Sequence, residues 1–565
     1  MTGESAKTGI AASGRFRTLP NGWTILTLLI AGLVTLPVLT VLGFVFVPSP
    51  EVWSHLLETV LSSYVLNTLG LMVGVGTGTL LIGVGTAWLV VMCQFPGKRV
   101  FEWALLLPLA VPTYVIAYAY TDFLQFTGPV QTFLRELFEW GRNDYYFPNI
   151  RSLGGAVSLM SLVLYPYVYL LTRAAFMEQS VCALEVGRSL GRGPWRLFSG
   201  VAVPLARPAI VGGLALALME TLNDFGAVQF FGVDTFTTGI YRTWFGMGEA
   251  AAAAQLAACL LMFVIVLLIL ERWSRRSARF HHTTARYREL PQYQLPRGRA
   301  LLAFTACAVP VLVGFVLPAG LLLEMHLAEG DPQMGTRMAG YAWNSFKLAA
   351  TTAVVAVSLA VVIGYGVRMQ PGRLTHAAAR IASVGYAIPG SVIAVGILIP
   401  LGWADQQINL FAREHFGVLP GLLLTGTMVA LVYAYVVRFL AVSFNSVEAS
   451  LGKITPNMDA ASRTLGKTAA RTLALVHLPV MRSSLLAAGI LVFVDVMKEL
   501  PATIILRPFN FDTLAVRAFD LASDERLAQA STSALSIVVV GIIPVILLSI
   551  AMRKSRPGSG AGTGG

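Results

Sequence analysis

The sequence predicts an all-α membrane protein of twelve spans, arranged as two six-helix repeats that run in the same direction. Three observations carry this. The 565 residues are 56% hydrophobic and only 12% charged, with a mean hydropathy of +0.70. Apolar runs of about 20 residues, the length that crosses a bilayer as a helix, recur along the whole chain. A basic segment is spelled twice, EVGRSLGRGPWRLFSGVAVPLARP from Glu185 and DAASRTLGKTAARTLALVHLPVMRS from Asp459, with Arg188 meeting Arg463 and Gly191 meeting Gly466 at a spacing of 275 residues.

The runs lie near 23–47, 66–94, 103–124, 154–176, 208–230 and 250–271, then near 300–324, 342–367, 380–403, 417–441, 483–506 and 529–552. In hydrocarbon the backbone must satisfy its own hydrogen bonds, so each is expected to be a helix. An even number of spans per half makes the repeat parallel, related by an axis along the membrane normal. Paired landmarks support it: Asn67-Thr68 against Asn344-Ser345, and Pro112 against Pro389. The register is lost around 174–184, where the second half has extra residues at about 442–457. The expected organisation is a tail (1–22), a first transmembrane domain (23–271), a linker (272–299), a second transmembrane domain (300–552) and a flexible Gly/Ser-rich tail (553–565).

The net charge of +12 is read as topology rather than as a nucleic-acid surface. Segment 272–299 carries eight arginines, whereas 48–64 carries no Lys or Arg. Basic loops stay in the cytoplasm, so both termini, the linker and both repeated basic segments are expected there. The first apolar run is too long for a cleaved signal. Four scattered cysteines lack metal-ligand spacing, which argues against a disulfide framework or a zinc site. Gly466-Lys467-Thr468 imitates the end of a phosphate-binding loop, but Ala461 stands where the leading glycine would fall, so ATP is not expected on this chain.

Beyond the basic segments the correspondence continues into spans five and eleven. Glu220 meets Asp495, Asp224 meets Glu499 and Asn223 meets Lys498. Each half thus sets two carboxylates at i and i+4, on one face of a continuous helix. A charge there costs about 2.5–3.5 kcal/mol on insertion scales, so a pathway lined by Glu220, Asp224, Asp495, Lys498 and Glu499 is expected, with structural pairing to Lys498 as the alternative. Tyr165, Tyr167 and Tyr169 are read as core or interfacial aromatics. On the outer side, 231–249 and 507–528 align as Phe236 with Phe511, Thr238 with Thr513, Arg242 with Arg517 and Glu249 with Asp524. The first three pairs are candidate contacts for a partner on that side.

The spacing of the basic segments resembles the EAA motif of ABC importer permeases, E-A-A-x3-G-x9-I-x-L-P. Gly191, Val201, Val203 and Pro204 fall on it in the first half; Gly466, Val476, Leu478 and Pro479 do so in the second. The first copy has Val186-Gly187 after Glu185. The second has Ala460 at the acid position, with Asp459 one place early. Two such domains in one chain, followed by METLNDFGAVQFFGVDTFTTGIYRTWF and DVMKELPATIILRPFNFDTLAVRAFDLASDE, look like the ferric-iron importer permeases. The resemblance implies the type I importer permease fold and no enzymatic activity on this chain. Each loop would be a coupling helix docked on an ATPase subunit, with Glu185, Arg188, Gly191, Pro204, Asp459, Arg463, Gly466 and Pro479 as the coupling residues. It implies two copies of the ATPase carrying ATP and Mg, a periplasmic binding protein, and Fe(III) as cargo rather than as a stable metal site. Gly191 and Gly466 would permit chain reversals, and Pro204 and Pro479 would open the following spans. Thiamine, a phosphonate or a polyamine are alternative cargoes, and an ion-coupled secondary transporter an alternative machine.

Overall fold

A computed structural model of the chain describes residues 22–178, 193–276, 292–331 and 335–554. Among them, eleven helices are long and apolar enough to cross a bilayer. They are Gly22–Phe44, Leu61–Met92, Leu153–Met177, Pro194–Asn223 and Ala250–Ser274 in the first half. The second half contributes Arg297–Ala328, Arg337–Met369, Gly390–Phe416, Met428–Leu451, Ala469–Met497 and Leu527–Leu547. The third expected span is a pair, Lys98–Ala110 and Thr113–Phe138, bent by 90°. These twelve elements are called spans one to twelve below.

The expected run at 103–124 is broken at Pro112, and that at 380–403 starts only after Pro389. Each proline caps the helix that follows it, Thr113–Leu124 and Gly390–Phe416. A proline inside a helix loses a hydrogen bond and clashes with the preceding turn, so the chain turns instead. A short helix precedes each break, Lys98–Ala104 and Arg373–Ala382.

Spans five and eleven begin earlier than expected, which corrects the reading of Pro204 and Pro479 as the first residues of those helices. Both lie inside a helix already under way, directly after a π-helical turn at Phe198–Ala202 and Leu473–His477. Val203 N–H reaches back to Phe198 O, and Leu478 N–H to Leu473 O. A wide turn is the usual way for a helix to absorb such a local defect. The two turns lie at the same spacing of 275 residues as the repeated segments.

In each half the same three spans pack as a trio: two, four and five, then eight, ten and eleven. Two first spans are exchanged. Span one lies against spans eight and nine of the second half, and span seven packs on helices of the first. Close approach secures the exchange at Gly396, where a Cβ would stand 2.3 Å from Pro37 O. Thr24 Oγ1 donates to Gln370 Oε1 (2.6 Å) at the other end of the same contact. The landmarks Asn67 and Asn344 play one role twice, donating to Asp234 O (2.9 Å) and Asp512 O (3.1 Å).

Candidate translocation path

Spans five and eleven end abruptly, at Asn223 and Met497, and short helices follow at Gly226–Phe230 and Pro501–Leu506. The break is explained by the acids themselves. Asp224 Oδ1 accepts from Ala227 N (3.0 Å) and Val228 N (3.2 Å), and Thr113 Oγ1 donates to its Oδ2. Glu499 Oε1 accepts from Ala502 N (3.1 Å), while Oε2 accepts from Thr503 N (3.2 Å) and Thr503 Oγ1 (3.0 Å). Each carboxylate satisfies free N–H groups of a new helix and sits at its positive end. The expectation of one continuous face carrying both acids is therefore corrected. Glu220 and Asp495 are on the long helices; Asp224 and Glu499 cap the next ones.

All five expected path residues nonetheless line a single cavity of about 100 Å³, with Asn223, Tyr167, Tyr386 and Arg438 also in its wall. Tyr165 and Tyr169 are fully buried elsewhere, Tyr169 donating to Glu102 O (3.1 Å). Lys498 Nζ lies 3.0 Å from Asp495 Oδ1.

Arg438, on span ten, is the residue the sequence reading missed. It is 4% exposed. Its Nη1 donates to Asn223 Oδ1 (2.8 Å) and Glu499 Oε1 (3.1 Å), and its Nη2 is 3.6 Å from Glu220 Oε2. One guanidinium thus binds the last turn of span five in the first half to the capped turn of the second. Asn223 Oδ1 also accepts from Gly390 N (2.7 Å), drawing in the break before span nine. The signal was available, since a lone arginine in an apolar run is a functional marker in its own right. Aligning Tyr165-x-Tyr167 with Tyr433-x-Tyr435 places Leu170 opposite it, so the repeat could not find it. Four carboxylates face two cations in the cavity. Among the described residues, no group of three or more His, Cys, Asp or Glu stands close enough to hold a metal ion.

The second basic segment forms a helix, Pro456–Thr464, closed by Gly466 at φ +70°. Gly466 N donates to Arg463 O (2.9 Å) and Lys467 N to Ser462 O (3.1 Å), the paired closure that favours a glycine. Asp459 faces inward. Arg368 at the end of span eight reaches it through Nη2 (2.6 Å) and Nε (2.9 Å), and His477 Nε2 lies 2.9 Å away. Arg368 also donates to Leu451 O and Ile454 O, tying the helix to the bundle. Met458, Arg463 and Leu465 face outward. In the first copy, Glu185, Arg188 and Gly191 lie outside the described residues.

At the end of the bundle away from the basic segments, the expected pairing is off by three. Asp234 and Asp512 hold the two asparagines, and Thr235 and Thr513 each cap the following helix, a spacing of 278. Three residues are extra between Glu499 and Asp512. Phe236 (2% exposed), Thr238 (1%) and Thr513 (4%) are buried and offer no surface to a partner, which corrects that expectation. Arg242 pairs with Asp234 (2.6 Å), Arg517 with Asp331 (3.1 Å), and Phe511 lies under Lys347. Phe509, 94% exposed, and Phe245, 51% exposed, are among the large apolar side chains presented nearby.

Residues 79–280 match the family described as "Binding-protein-dependent transport system inner membrane component". The chain is similar to the Fe(3+)-transport system permease protein FbpB 2 of Haemophilus influenzae, at 26% identity over 86% of this chain and 90% of the relative. It is also similar to the molybdenum transport system permease protein ModB of Escherichia coli K12, at 30% identity over 34% of this chain and 84% of that one. The putative 2-aminoethylphosphonate transport system permease protein PhnU of Salmonella typhimurium is 28% identical over 31% of this chain and 60% of its own length. With a helical bundle of eleven to twelve spans, and with such a relative spanning both halves, the chain belongs to the binding-protein-dependent permeases, the multi-pass membrane subunits of ABC importers.

Proposed function

We propose that this permease moves ferric iron, received from a periplasmic binding protein, into the cytoplasm at the expense of ATP hydrolysed by two copies of a partner ATPase. The observation that carries the cargo is the cavity between the halves, whose wall holds four carboxylates. Fe(III) is a hard cation that prefers such oxygens. Their engagement with Arg438, Lys498 and two helix starts suits a path that must bind weakly enough to release. The length-matched ferric relative supports the same reading. An oxyanion cargo is the second reading, favoured by Arg438 and Lys498 in the same wall and by the molybdenum-permease relative. Uptake of radiolabelled ferric iron into cells lacking their other iron importers, in competition with molybdate, separates the two.

The surface of Pro456–Thr464 that carries Met458, Arg463 and Leu465 is the proposed ATPase contact, with the first basic segment as its counterpart. Asp459, held by Arg368, positions that helix rather than meeting the partner. Gly466→Val forces a β-branched residue to a positive φ, a strain on the order of 1–3 kcal/mol. Co-purification of the ATPase is expected to fall severalfold while the amount of inserted permease stays constant. Undiminished co-purification and uptake would remove the coupling assignment.

The basic end of the bundle is proposed to be cytoplasmic, with both termini there. A cysteine at Glu58, which is exposed beyond span one, should react with an impermeant maleimide in intact cells, whereas cysteines at Ala278 and Gly560 should not. The reverse labelling pattern would invert the topology. Arg242, Phe245 and Phe509, at the opposite end, are the proposed contacts of the binding protein.

A further inference from the structure

We propose that the groove between the end of span six and the helix Arg373–Ala382 binds the headgroup of an anionic phospholipid. The groove, about 700 Å³, is lined by Arg272 from the first half and by Arg373, His376 and Arg380 from the second. Among the described residues no carboxylate pairs with any of these three arginines. Arg173, Arg242, Arg368, Arg438, Arg507 and Arg517 all have an acid partner. Three guanidinium groups without a counterion converging on one hollow constitute a site for an external anion.

The surroundings specify a lipid. Helix Arg373–Ala382 buries Thr375, Ala378, Ala379 and Ala382, and packs on span one, so its basic side is turned away from the bundle. Leu374 (60% exposed) and Ile381 (44%) flank the arginines on that helix, and Leu270 (52%) and Trp273 (67%) flank Arg272. Apolar side chains suit acyl chains, and a tryptophan beside them suits the headgroup level. The groove is at the same end of the bundle as the Asp459 anchor, because Arg368 and Arg373 bracket the turn after span eight. Basic pockets between spans on that side take anionic headgroups. The bound phosphodiester would bridge the two halves where their chains are otherwise joined by the linker.

The test uses the full-length protein in nanodiscs of phosphatidylcholine with about one-fifth phosphatidylglycerol, and counts retained phosphatidylglycerol by native mass spectrometry. Wild type retains it. Arg272→Gln/Arg373→Gln/Arg380→Gln is expected to lose at least about tenfold in retention, and the matching triple Lys variant to keep most of it. Arg380→Glu, a single change on the exposed face of the helix, is a second variant expected to release the lipid. Retention equal to wild type in the Gln and Glu variants overturns the proposal. Displacement of the lipid by millimolar inorganic phosphate also overturns it, in favour of a soluble anion.

Discussion

Glu220→Gln combined with Asp495→Asn should lower ferric-iron uptake roughly a hundredfold while the permease still assembles and its ATPase still turns over. Amides keep the size of both side chains and remove their charge. Each lost charge-assisted contact is worth about 1.5–3 kcal/mol, and two of them act on the same cargo. A further effect adds to this: Lys498 loses its 3.0 Å partner and Arg438 one of its acids, so the cavity turns from acid-rich to balanced and no longer favours a cation. The sign reverses for an oxyanion, whose passage the same variant should leave intact or improve. Transport in proteoliposomes with either cargo reads the difference. Normal iron uptake by the double variant would make these residues structural and move the path elsewhere.

Arg438→Gln should be the most destabilising single change in the cavity. The guanidinium stands within 3.6 Å of Glu220 and 3.1 Å of Glu499, and removing one member of a buried ion pair costs about 3–5 kcal/mol because the other charges stay behind. Thermal unfolding of the detergent-solubilised protein should shift sharply downward, and Arg438→Lys should recover part of the loss. Asp224→Asn is the useful contrast. It weakens a helix cap, at about 1 kcal/mol, without stranding a charge. Equal melting temperatures for Arg438→Gln and Asp224→Asn would contradict the role assigned to Arg438.

The spans and their doubling were legible in the sequence because hydrocarbon imposes length and apolarity, and because spans five and eleven repeat without a gap. The five residues that line the cavity between the halves were picked out by that same repeat. What it could not reveal were the places where the halves differ or the backbone departs from a helix. Arg438 has no counterpart at the matching position of span four. Asp224 and Glu499 read as helix-face residues by spacing alone, since whether an acid continues a helix or caps the next one depends on which N–H groups come free. The outer register failed for a simpler reason: Phe236/Phe511 and Thr238/Thr513 match as letters, but three residues inserted after Leu506 carry the Asp-Thr cap to a spacing of 278. Pro204 and Pro479 were misplaced because a π-helical turn leaves no compositional trace.

The exchange of first spans has a consequence for how the molecule is made. Thr24 and Gln370 touch across 346 residues of chain. At a synthesis rate of about 5–20 residues per second, span one waits roughly 17–70 s in the lipid before its docking surface on the second half exists. During that interval it can pack only on span six of its own half, where Gln255 Nε2 donates to Phe44 O (3.2 Å), because Gly396, the notch that receives Pro37, has not yet been translated. The first half therefore cannot reach its final packing as a nascent domain, nor the second without the first. An importer whose two permease domains began as separate chains could trade these helices only by encounter in the membrane; in a single polypeptide the partner arrives at high local concentration, in fixed stoichiometry and in a set order.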